Sequence, residues 1–110
     1  MATIIRGTTP TITFTFSDFN ATDIVEAVFV IKQGGNTILQ MDLSEADVDE
    51  STLTWYLTQE NTFLLNSALG GIIVCDWLLD NGIRGRSEVF SFAVDNPAVE
   101  EILGEVEDGQ

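Results

Sequence analysis

The chain has no histidine, one cysteine, two prolines and only four basic residues among 110. Without histidine there is no Ser-His-Asp triad, no Cys-His dyad and no histidine metal site. The lone Cys75 excludes an intrachain disulfide and gives no sign of an oxidising compartment. It lies in an apolar run and reads as a small buried hydrophobe. Four bases stand against 18 acids, a net charge of −14. That balance lacks the basic face that phosphate binding needs, so nucleic acid and anionic lipid are not expected as partners. Long hydrophobic runs are missing too. The most apolar stretch, 69–79, is broken by Gly70, Gly71 and Asp76 and falls short of the roughly 18 residues of a membrane helix. Residues 1–10 carry one arginine and no long apolar stretch, so a secretory signal peptide is not expected.

What the chain does have is alternation. Residues 11–16 read TITFTF, with Ile12, Phe14 and Phe16 on one face and threonines on the other, which is the period of a half-buried strand. Residues 24–33 read IVEAVFVIKQ, with Val25, Ala27, Phe29 and Ile31 on one face of a more central strand. Gly34-Gly35-Asn36 supplies a tight hairpin. Residues 37–43 return with Leu39, Met41 and Leu43 inward, and residues 52–57 place Leu53, Trp55 and Leu57 on one face. Thr58 is a helix cap for a short turn through Leu65. Residues 72–79 form a second strongly apolar strand with Ile73, Cys75, Trp77 and Leu79 on one side. Asn81-Gly82 predicts a type I′ hairpin into a strand over 86–94.

At the end the period changes. Asn96 can cap, Pro97 suits the first helical position, and Val99, Ile102, Leu103 and Val106 fall at helical spacing. The expected fold is therefore all-β: a small antiparallel β-sandwich, immunoglobulin-like, of about six to seven strands. One short helical turn and an acidic C-terminal helix or tail over 97–110 complete a single domain spanning 1–110.

Ten of the 18 acids lie in two clusters, at 42–50 and 100–108. The first lacks the central glycine and fixed spacing of a calcium loop and reads as a solvated loop guarding a sheet edge, with calcium as the sharper alternative. Asp76 is the one acid in an apolar strand, but its parity points outward, so paired-carboxylate hydrolysis is not expected. No cofactor or metal site is expected. Most aromatics fall at core parity and only Tyr56 at outward parity, an arrangement unlike an aromatic sugar platform. Arg84 and Arg86 flank Gly85 beyond the turn. Opposite poles of charge suit head-to-tail assembly, so Arg84, Arg86, Val99, Ile102, Leu103 and Val106 are the candidate interface residues, together with the 11–16 strand edge.

Three segments carry a resemblance: Arg6-Gly7-Thr8-Thr9-Pro10 before Thr-x-Thr-Phe-Thr-Phe; Ile31-Lys32-Gln33-Gly34-Gly35; and Leu57-Thr58-Gln59-Glu60-Asn61-Thr62-Phe63. With the serine-bearing strand over 87–94, this order resembles small structural proteins of phage and prophage modules and is similar to the N-terminal β-sandwich domain of phage baseplate upper proteins. The resemblance spans about 4–103. It implies a non-enzymatic virion component, made in the bacterial cytoplasm, in a tail or baseplate, with other phage structural proteins or a second copy as partners. The alternative expectation is an immunoglobulin-like binding module for carbohydrate or another small ligand.

Overall fold

The computed structural model describes residues 2–104. Among the described residues the strands are β1 (Ala2–Ile5), β2 (Thr11–Thr15), β3 (Ile24–Gln33), β4 (Asn36–Asp42), β5 (Asp47–Val48), β6 (Thr52–Tyr56), β7 (Gly71–Leu79), β8 (Arg84–Arg86) and β9 (Phe90–Asp95). One helical turn, α1 (Gln59–Phe63), joins β6 to β7. A six-stranded sheet runs β1-β9-β7-β3-β4, with β8 also on β7; a three-stranded sheet runs β2-β6-β5. This strand order over two facing sheets is that of an immunoglobulin-like sandwich.

The alternating residues meet between the layers. Phe29 of the larger sheet and Trp55 of the smaller are fully buried, with ring centroids 5.0 Å apart. Phe14 stands edge-on to Trp55 at 5.9 Å. Such pairs add about 0.5–1.5 kcal/mol each beyond burial. The Trp55 indole N–H donates to the Asp42 carbonyl at 2.9 Å, so its one polar atom is satisfied. A second aromatic group, Phe16, Phe19 and Trp77, closes the far end, with centroids 5.0–5.6 Å apart. A Cβ on Gly85 would lie 2.7 Å from the Trp77 ring, so the residue between the two arginines must be small.

Several expectations change. β1 is a strand that the sequence pattern did not reveal, and it pairs parallel with β9, so the sandwich is not wholly antiparallel. Val25 is 52% exposed and Ile24 is buried instead, because the register shifts between Ile24 and Glu26 and a bulge reverses the parity before it. The strand expected over 86–94 is two strands, because the register against β7 slips one residue between Arg86 and Phe90. Ser87 marks the break: its Oγ accepts from the Cys75 N–H at 2.9 Å. The Gly34-Gly35 hairpin forms as expected, both glycines at positive φ. The Asn81-Gly82 turn is not type I′. Only Gly82 has positive φ (88°), and the Leu79 N–H donates to the Ile83 carbonyl, which makes a three-residue loop ending in a left-handed glycine.

The expected C-terminal helix is absent over 97–104, which run as bends. Contacts to other parts of the chain hold this segment, and Gly104 turns away at φ 84°. The rest of the expected helix, Val106 included, lies outside the described residues.

Candidate functional site: a polar junction and a basic sheet face

Two of the three segments that carry the resemblance interlock through Thr62, and the third is tied by Gln33 to the loop after α1. Thr62 and Gln33 are the buried polar side chains among the described residues, 0% and 3% exposed, and each belongs to one of those segments. The Thr62 hydroxyl donates to the Thr8 carbonyl at 2.8 Å and accepts from the Gly7 N–H at 2.9 Å. The Gln33 amide donates to the carbonyls of Asn66 and Leu69, and its oxygen accepts from the Asn66 N–H, all at 2.9–3.0 Å. Thr58 caps α1 as expected, in a reciprocal box with Asn61. Gly7 has φ 84°, which favours glycine, and a Cβ there would lie 2.5 Å from the Phe63 ring and displace it.

Arg6 extends this junction to the C-terminal segment. Its Nε donates to the Leu65 carbonyl at 2.8 Å, and its Nη1 reaches Asn96 at 3.0 Å and Glu100 at 2.9 Å. The guanidinium lies 5.4 Å from the Phe63 ring centroid. The Gln59 side chain holds both the N–H and the carbonyl of Leu103 at 2.8 Å. Over 97–104 these tertiary bonds stand where the spacing predicts helical ones. Val99 and Leu103 are exposed, at 47% and 63%, and Ile102 is half-buried; no helical face unites them.

Arg84 and Arg86 lie on β8, beside β7 in the larger sheet, and their side chains meet Asp76 on its outer face. Both pair with Asp76 of β7: Arg86 Nε donates to Oδ1 at 2.7 Å and Arg84 Nη2 to Oδ2 at 2.9 Å. Asp76 faces outward, as strand parity predicts. The Arg86 hydrogen bond is the main reason that its carboxyl is held below the ordinary carboxylate value, with Arg84 acting the same way against partial burial. Beside this fork runs a groove of about 520 Å³, floored by Val28, Val30, Ile72, Val74 and Val89 and edged by Lys32, Arg84 and Arg86. Period two places Lys32 on the strand face of Val28 and Val30, but not beside the two arginines. Its neighbourhood with Arg84 and Arg86 follows from the registers of β3 and β8 against β7.

Two acids of the 42–50 segment, Asp42 and Glu45, fasten the turn at its start, and Asp47 lies in β5. Asp42 caps a 3-10 turn over Leu43–Glu45 and accepts from the Ser44 N–H, while Glu45 accepts from the Asp42 N–H. Asp47, by its hydrogen bond and its charge, raises the Tyr56 phenol above its ordinary value. Among the described residues no three His, Cys, Asp or Glu side chains gather as a metal ion would need. Burial, with a lesser push from the Asp76 charge, raises the Cys75 thiol to about 12, which keeps it protonated and unreactive at neutral pH.

No family model and no curated protein matches the chain. Among solved structures it is similar to the immunoglobulin-like domain of mouse leukocyte-associated immunoglobulin-like receptor 1, crystallised as a strand-swapped dimer. The identity is 15%, the match covers 84% of each chain, and the TM-score is 0.49.

Proposed function

We propose that the protein is a non-enzymatic structural component of a phage or prophage particle, located in the tail or baseplate and acting by self-association or by docking onto other particle proteins. One observation carries this reading. Two of the segments that bear the resemblance to phage structural proteins, Arg6–Pro10 and 57–63, are joined through the buried Thr62, and the third, 31–35, is fastened by the buried Gln33 to Asn66 and Leu69 just beyond them. A satisfied buried polar group favours one packing over its competitors. Two of the three segments therefore share one tertiary contact, and the third anchors the chain that follows α1. The carbohydrate-binding alternative has thinner support: the exposed aromatics, Tyr56 and Phe90, lie on different sheets, whereas a sugar platform needs aromatics side by side.

The test is quantitative mass spectrometry of particles purified from the host strain that encodes the chain. The proposal expects the protein at a fixed ratio to the tail or baseplate proteins. Particles that lack it would overturn the proposal.

A further inference from the structure

Three of the chain's four bases, Lys32, Arg84 and Arg86, edge one groove on the outer face of the larger sheet. Their convergence is uneven in a protein of net charge −14. Asp76 offsets part of that charge by pairing with both arginines, and both guanidinium groups remain largely open to solvent, at 74% and 66%. Lys32 has no ion pair among the described residues. The groove floor is apolar, with Val28, Val30, Ile72 and Val74 in a row across two paired strands and Val89 beside them, 55% exposed. A cationic rim over an apolar floor suits an acidic segment that carries an apolar side chain.

The chain itself has such a segment. Residues 42–50 hold five acids and no base, and among the described residues none of the five is in a salt bridge. Val48 projects from their middle, 44% exposed. This segment passes to the smaller sheet, where β5 pairs with β6, whereas the groove is on the outer face of the larger one. Two complementary patches on different layers make a heterologous contact, which propagates from copy to copy instead of closing on itself.

We infer that the groove edged by Lys32, Arg84 and Arg86 is the docking site for the acidic 42–50 segment of a second copy of this chain, giving head-to-tail association. The inference rests on the self-association reading above and deepens it. Charge complementarity sets the orientation of the contact, and the valine floor supplies apolar burial.

Size-exclusion chromatography with light scattering tests it, at about 0.15 M salt, where the screening length is about 8 Å. The wild type should form an open, concentration-dependent series. Lys32→Glu, which breaks no ion pair in the described structure, should weaken association about tenfold or more, as should Asp49→Lys with Glu50→Lys. A mixture of the two variants should associate where neither does alone. Unshifted melts of each variant establish that the fold is intact. Association that survives both reversals would overturn the groove while leaving self-association standing. A closed dimer indifferent to the loop reversal would replace head-to-tail docking with a face-to-face contact, and a wild type monomeric at every concentration would also overturn the inference. The particle measurement is independent of all these outcomes.

Discussion

The Thr62 hydroxyl donates to the Thr8 carbonyl at 2.8 Å, across 54 positions of sequence and with Thr62 fully buried. The same oxygen accepts from the Gly7 N–H. Thr62→Val keeps the shape and removes both bonds, leaving a donor and an acceptor unsatisfied. The expected cost is about 1–3 kcal/mol, seen as a fall in Tm of several degrees. Thr62→Ser, which keeps the hydroxyl, should lose much less. Equal melts for the valine and serine variants would show that the hydroxyl contributes nothing.

Phe14 is 5% exposed and lies against Trp55, Phe29 and Phe90. Phe14→Ala should cost about 3–5 kcal/mol, a large share of the about 5–15 kcal/mol that such domains hold. Urea denaturation gives the value. An unchanged midpoint would remove Phe14 from the core.

The hold of Gln59 on Leu103 predicts a local effect. Gln59→Ala should raise hydrogen exchange at the Leu103 amide while moving the global melt by less than about 1 kcal/mol, since the segment is exposed and peripheral. Unaltered exchange at Leu103 would mean that the clamp does not operate in solution.

Asp76 sets an acid limit. Its folded carboxyl value lies below the ordinary 3.8 because Arg86 and Arg84 hold the charged form. The stability it contributes is therefore present above the unfolded value and is lost as pH falls through the folded one. Asp76→Asn should lower the melt at pH 7 and flatten the decline below about pH 4. Parallel wild-type and Asp76→Asn curves through the acid range would exclude the fork as a stabilising element.

Cys75 sets an alkaline one. With its thiol raised to about 12 by burial, it should resist a thiol reagent at pH 8 in the native state and react fully in denaturant. The raised value also means that its contribution is complete below the unfolded thiol value and declines as pH rises toward 12. Rapid native-state modification would place the residue at the surface.

The strands were legible because period two survives wherever a strand has one buried face, as it does for Phe14, Leu53, Trp55, Phe29, Ile31 and Cys75. β1 was not: Ala2–Ile5 is four residues without clear alternation, and its partner β9 is distant in sequence. The bulge near Ile24 was hidden for the same reason that any bulge is, since one extra residue reverses parity without changing composition. The 97–108 spacing satisfied a helical pattern, yet contacts made by Arg6 and Gln59 hold its first part in another shape. Propensity in a short segment yields to tertiary bonds. At the candidate site, Arg84 and Arg86 were visible as a pair, but Asp76 as their shared partner and Lys32 as their neighbour depend on strand register.

The central claim is that this sandwich works by contact with other protein surfaces. Sedimentation equilibrium of the chain up to about 1 mM, alone and with the purified tail or baseplate proteins of the proposed particle, tests it most directly; at that concentration even a contact worth about 4 kcal/mol is populated. The account predicts a mass that rises above 12.0 kDa in at least one of the two conditions. A constant 12.0 kDa in both would contradict it.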